Sequence, residues 1–412
     1  MSTVRDGEAD AAALAGRFDP EALPAEFVAD PYPTYAALQA LDPLHRCADG
    51  SYFLTRYTDL DAIYRDRTSF SSDKRAAFAP KFGTGTPLYQ HHTSSLVFND
   101  PPYHTRVRRQ IVAALTPASI RAMAAGLEAL VERLCDSIAA RGSCDLVEDF
   151  AAAIPVEVIG NLLGIPQDER GALRGWSLAI LGALDPALSA EALGRGNTSV
   201  AEFLDFTRAL VAERRARLRG DDDLLSRLIR DESGGGRLSE TELLHNCIFL
   251  LNAGHETTTN LIGNGLALLL ADDEARARLA ASPQLIGPAI EECLRYESPN
   301  QLGNRLVVSP VEIGGERFAP GTYLTLCIGA ANRDPAEFAD PSRFDIAREP
   351  NRHLAFAAGG HACAGMSVAR FEGQVAIAGF LRRFPEARLA AGARRNPRVR
   401  FRGFRSLPAV LG

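Results

Sequence analysis

Phe356-Ala357-Ala358-Gly359-Gly360-His361-Ala362-Cys363-Ala364-Gly365 is the stretch on which the reading of this 412-residue chain turns. Gly359, Gly360 and Gly365 let the backbone turn tightly and approach a flat partner, and from Met366 to Phe384 apolar residues recur at helical spacing. Cys363 therefore sits on a loop that runs into a helix N-terminus. Exposed amides and the positive end of the helix dipole favour the thiolate there, the form of cysteine that ligates metals. A free cysteine in an arbitrary context packs as a small hydrophobe. The glycines and His361 around Cys363 point instead to a metal ligand.

The other cysteines, at 47, 135, 144, 247, 293 and 327, are widely spaced with no C-x-x-C pair. Neither a zinc site nor a thioredoxin motif is indicated, and the odd total of seven disfavours a disulfide framework. At 46% hydrophobic the chain can bury a large core, and its length alone suggests two or three domains. A net charge of -6 argues against a nucleic-acid surface built on a general basic balance. The first twenty residues are acidic and short of apolar side chains. They hold neither a signal-peptide core nor the roughly 20-residue run of a membrane helix. The expectation is a soluble, cytoplasmic protein with no membrane and no nucleic-acid partner, whose residues 1–29 form a partly disordered segment.

Along the chain, Asp30-Pro31-Tyr32-Pro33 opens a helix through Leu41, and Asp49-Gly50 joins two hairpin strands, Leu44 to Cys47 and Tyr52 to Thr55. From Lys74 to Phe98 periodicity is lost among Pro80, Gly83, Gly85 and Pro87, with Phe78, Phe82, Tyr89 and Phe98 interspersed. This reads as a long aromatic loop, and such loops are functional or mobile. His91-His92 within it has no partner at metal-ligand spacing. Asp100 to Thr105 starts a helix with His104 and Arg108 on one face. Helical patterns follow over 117–141, 148–163 and 167 to about 182, and the apolar segment Trp176 to Leu188 suits a lid. An arginine-rich helix ends near Arg219, and Gly234-Gly235-Gly236 marks a break. Ser239 and Glu242 then form a capping box for a long helix reaching about Ala271. Ala253-Gly254-His255-Glu256-Thr257-Thr258-Thr259 interrupts that helix with poor helix formers, a sequence not chosen for stability. Thr257 can bond the Ala253 carbonyl four residues back, which bends a helix. Beyond Pro299 come short strands, 305–308, 311–313, 317–318 and 323–328. The fold class is mainly α with a smaller β region.

The loop ending at Gly365 resembles the haem-binding loop of the cytochrome P-450 monooxygenases, Phe-Gly-x-Gly-x-His/Arg-x-Cys-x-Gly, with Ala357 where the pattern has glycine. The resemblance runs from about Asp30 to the C-terminus and implies the P-450 fold, a single domain over 30–412 with a long central helix over a buried haem. It implies haem b (iron protoporphyrin IX) as cofactor and Cys363 as its axial thiolate, in a loop that also includes Phe356 and Gly359. It implies that His104, Arg108, Arg305 and His361 hold the propionates. Gly254, after Ala253, would make room for oxygen, and Glu256 and Thr257 would be the catalytic acid-alcohol pair. Glu292 and Arg295 match the family's Glu-x-x-Arg, tied to a further arginine, Arg343 or Arg348. Asn300 to Asn304 would line the pocket beside the haem, and the loop before Phe98 would cover it. The implied activity is insertion of one oxygen atom from O2 into a small or medium-sized organic substrate. A peroxide-driven enzyme would need no Glu256-Thr257 relay, and a haem sensor would need neither that pair nor a lid. Residues 364–412 are too few for a flavin domain, so electrons are expected from a separate ferredoxin or flavodoxin with its NAD(P)H-dependent reductase. Arg106 and Arg109, left to solvent if Arg108 faces haem, would help dock such an acidic carrier.

Overall fold

The computed structural model describes residues 2–216, 223–230 and 238–412. The expected Gly234–Gly236 break and the end of the arginine-rich helix near Arg219 lie outside them. The chain forms two compact units. The first comprises Met1–Ser71, Ala267–Cys363 and Ala393–Arg405, the second Ser72–Leu266, Ala364–Gly392 and Ser406–Gly412.

In the first unit a five-stranded sheet runs in the order Leu44–Arg46, Tyr52–Leu54, Tyr323–Cys327, Leu302–Val307, Phe70–Ser71. The hairpin at Asp49-Gly50 is present, with Gly50 at φ +84° and Leu44 opposite Leu54. Tyr52–Leu54 pairs in parallel with Tyr323–Cys327, and the remaining pairs are antiparallel. Strand Leu302–Val307 starts three residues earlier than its sequence pattern indicates, because Leu302, Gly303 and Asn304 pair with Cys327, Leu326 and Thr325 of the neighbouring strand. The N-terminal segment differs from expectation more strongly. Residues Ser2–Gly16 form a helix, and its Ala11, Leu14 and Ala15 join Phe18, Phe27, Tyr35 and Phe53 in a core. Spacing of three and four residues supplied an apolar stripe that low overall hydrophobicity concealed.

Glu292 and Arg295, both fully buried on helix Ile286–Tyr296, form a two-pronged ion pair with each contact at 2.8 Å. The third partner is Arg348, whose Nε lies 3.2 Å from both Glu292 oxygens, whereas Arg343 offers only its carbonyl to Arg295. The spare Arg295 donor is taken by the carbonyls of Asn332 and Pro341. A buried pair is stabilising only when its remaining valences are met in this way.

The second unit is largely helical. The long helix, Glu240–Ala271, begins where the capping box places it: Glu242 N donates to Ser239 Oγ at 3.2 Å, and Ser239 N to Glu242 Oε2 at 2.8 Å. Its 32 residues span about 48 Å. The stretch from Lys74 to Phe98 is not a plain loop. It folds into helices Arg75–Phe82 and Pro87–Ser94 and a 3-10 turn Leu96–Phe98, Gly83 closing the first helix and Thr86-Pro87 starting the second. The pattern over 117–141 divides at Met123 into helices Pro117–Ala122 and Ala124–Ala139. The proposed lid region is helical to Gly182 and then turns into the long helix Ala190–Ala216. A small sheet of Ser143–Asp145, Pro408–Val410 and Arg388–Leu389 closes this unit. These strands are two or three residues long, too short to leave a period in the sequence.

Candidate active site

Within the first unit the cysteine loop is held by its own backbone. Cys363 N donates to the Phe356 carbonyl at 2.9 Å and Ala362 N to the Gly359 carbonyl at 3.2 Å. Gly359 stands at φ +67°, and a Cβ there would run into the Tyr64 carbonyl oxygen, so the position demands glycine for its conformation and for its space. Ala357, the departure from the family pattern, also sits at positive φ, +54°, where a Cβ is strained. Gly360 faces open space, with nothing within 4 Å of where a Cβ would be. The loop thus offers a flat ligand a bare backbone.

Cys363 differs from the other six cysteines in being only partly buried. Burial pushes the thiols of Cys144, Cys247 and Cys327 up to about 12 and that of Cys135 to about 11, holding them protonated. His361 lies half-buried in the turn Gly359–His361, and Phe356 is half-buried with its ring 5.9 Å from that of His353. Arg305 is half-buried, donates to the Asn304 carbonyl at 2.8 Å and lies 5.1 Å over the Tyr64 ring. Tyr64 therefore serves both the loop and Arg305, a role invisible in the sequence because it lies nearly three hundred positions from the cysteine. Asn304 is committed to Thr325 and Arg400.

Within the second unit, His104 and Arg108 lie one turn apart on helix Tyr103–Ala114, His104 buried and Arg108 half-buried. Arg109 is exposed, but Arg106 is not left to solvent: it forms an ion pair with Glu242 at the start of the long helix. Mid-helix, Thr257 Oγ1 donates to the Ala253 carbonyl at 2.7 Å. Leu251, Asn252, His255, Glu256 and Thr258 are buried, whereas Ala253 is exposed and Thr257 half-buried. A narrow open strip of small residues thus interrupts an otherwise buried helix. The room that Gly254 makes is taken by the Ile159 side chain, so the open ground is that of Ala253. Within the first unit the bare cysteine loop, with His361 and the Arg305 guanidinium, fits the flat, dianionic group that the sequence implies.

Among the described residues no group of three or more His, Cys, Asp or Glu side chains converges to hold a metal ion, and no helix is long and apolar enough to cross a membrane.

A family model described as Cytochrome P450 matches residues 187–282 and 284–391. The biotin biosynthesis cytochrome P450 of Bacillus subtilis (strain 168) is 33% identical over 400 residues, 94% of this chain and 97% of that one. The 6-deoxyerythronolide B hydroxylase of Saccharopolyspora erythraea is 33% identical over 403 residues, 95% of this chain and 94% of that one. The crystal structure of P450BioI in complex with hexadec-9Z-enoic acid ligated acyl carrier protein is similar at a TM-score of 0.89 and 33% identity, over 94% of this chain and 100% of that one.

Proposed function

Because the chain belongs to the cytochrome P450 family, a haem-thiolate monooxygenase that inserts one atom of O2 into an organic substrate, we propose that Cys363 is the thiolate that holds its haem b. The observation that carries this assignment is the partly exposed Cys363 on a loop whose Gly359 admits no side chain. On this reading His361 and Arg305, with His104 and Arg108, neutralise the propionates, and Phe356, Gly359, Ala253 and Gly254 complete the haem surroundings. Residues 30–412 act as one catalytic domain in the cytoplasm. Reduction by a ferredoxin or flavodoxin, itself reduced by an NAD(P)H-dependent reductase, uses the exposed Arg109.

When bound, the haem supplies the electron-transfer and dioxygen chemistry. The chain's own residues hold and pass the protons. The single proton of the Thr257 hydroxyl is spent on the Ala253 carbonyl, which leaves Oγ1 as an acceptor able to orient a water. Glu256, one residue back and buried, is the carboxyl that feeds that water from the other side. Thr257→Ala removes the acceptor and leaves the carboxyl. It should oxidise reduced cofactor at close to the wild-type rate while releasing hydrogen peroxide in place of product. Glu256→Gln should slow turnover by about 10²- to 10⁴-fold, the usual contribution of a positioned proton donor. Product, peroxide and cofactor consumed are measured together with an accepted substrate, and wild-type coupling in Thr257→Ala would refute the assignment.

A further inference from the structure

The helix Pro87–Ser94 and the start of the long helix bury three imidazoles side by side in the second unit. The His91 ring lies 5.1 Å from that of His92 and 5.6 Å from that of His245, centroid to centroid. The backbone around them is fixed: Asn246, beside His245, accepts from Leu96 N at 2.9 Å and donates to the Tyr103 hydroxyl at 3.1 Å. Yet Nδ1 of His91 and Nδ1 of His245 are out of reach of solvent and meet no hydrogen-bond partner. Asn252, 2% exposed, is in the same position with both its amide oxygen and its amide nitrogen. A buried polar group that stays unpaired is costly, and buried polar atoms of native proteins are rarely left so.

His91 packs against His245, which shares a helix face with Asn252. His245 and Asn252 are seven residues apart, two turns, on one face of the long helix and about 10 Å along its axis. Asn252 immediately precedes the exposed Ala253. Burial lowers the affinity of His91 for a proton well below the ordinary range and that of His245 to about 4, so both are neutral at neutral pH. A neutral imidazole has one donor and one acceptor nitrogen, and the amide has both. None of the three carries a charge to hold an anion, and a hydrocarbon would leave all of them unpaired.

Resting on the monooxygenase reading, we propose that His91, His245 and Asn252 form an oxygen-recognition subsite, and that the substrate is an uncharged molecule bearing hydroxyl or carbonyl oxygens. Such oxygens, set about 10 Å apart, would pair with the imidazoles at one end and with Asn252 beside the reacting strip at the other.

Three probes on one rigid skeleton test this in optical titrations of the haem-loaded enzyme: 5α-androstane, 5α-androstane-3,17-dione and the 17β-carboxylate of androstane. The dione should bind at least about tenfold more tightly than the hydrocarbon and the carboxylate, the scale of one or two net hydrogen bonds. In His91→Phe and His245→Phe that preference should shrink to within about twofold. If His245→Phe fails to retain haem, Asn252→Leu and His91→Leu carry the same comparison. Equal binding of dione and hydrocarbon by the wild type, no binding of any probe, or a preference that survives the variants would overturn the inference. Water held by the histidines alone would give the first of these results. An enzyme without the haem-thiolate spectrum would instead defeat the functional reading on which the subsite rests.

Discussion

Glu372 lies on helix Met366–Arg383, nine residues past Cys363, and only 1% of it is exposed. Val368, Ala376, Ile377 and Phe380 of the same helix are buried with it, and its Oε2 has no hydrogen-bond partner. Desolvation pushes its carboxyl from the ordinary 4.5 up to about 8. The folded protein therefore binds this proton more tightly than the unfolded chain. The contribution to stability is whole below pH 4.5, falls as pH rises through the interval, and is lost above about pH 8. At about 1.4 kcal/mol per pH unit the full loss is on the order of 5 kcal/mol. For a chain of this length, whose unfolding entropy is on the order of 0.9 kcal/mol/K, that corresponds to about 5 °C in melting temperature. Glu372→Gln keeps the shape and a polar, uncharged head group but cannot ionise. Thermal unfolding of wild type and variant, followed by circular dichroism at pH 5, 7 and 9, isolates the effect, since other titrating groups cancel at each pH. The two proteins should melt within about 1 °C of each other at pH 5. By pH 9 the variant should be ahead by several degrees. A gap that does not change with pH would show that Glu372 finds a partner or water in solution and that its burial carries no ionisation penalty.

Gly359→Ala should lose at least about 2 kcal/mol, since positive φ strains any Cβ and this one meets the Tyr64 backbone; a variant with wild-type melting temperature and haem content would contradict the packing of the loop. Ala357→Gly is the mirror case. It should stabilise by about 0.5–1 kcal/mol in urea unfolding, the relief of left-handed strain exceeding the entropy glycine adds to the unfolded chain, and a loss of stability would mean that the Ala357 methyl contributes more by packing.

The elements that sequence exposes are those whose cause is local. Asp49-Gly50 and the Ser239-Glu242 box act over three or four residues, and both are found where spacing puts them. The Thr257 bond to Ala253 is local in the same way. What escaped the sequence is set by distant partners. Nothing near Glu292 distinguishes Arg343 from Arg348; the side chain that reaches it is decided by the turn at Asp345, whose amide also binds Glu292 at 2.9 Å. Arg106 reads as a surface cation until the start of the long helix brings Glu242 against it. The Lys74–Phe98 stretch reads as loop because Pro80 and Gly83 break its period, yet Phe78 and Phe82 are buried there and hold two short helices in place. His91 reads as incidental in the sequence because its neighbour His245 lies on another helix. A polar side chain repeating after seven residues in an apolar helix, His245 and Asn252, was the available signal.

On the proposed reading Cys363, and no other cysteine, holds the haem. The most direct test is the absorption spectrum of the ferrous carbon monoxide complex of the purified wild type beside Cys363→His and a control, Cys327→Ala. Wild type and control should show a strongly red-shifted Soret band, and Cys363→His should lose it with haem still bound. A red-shifted band that persists in Cys363→His, or that disappears in Cys327→Ala, would contradict it.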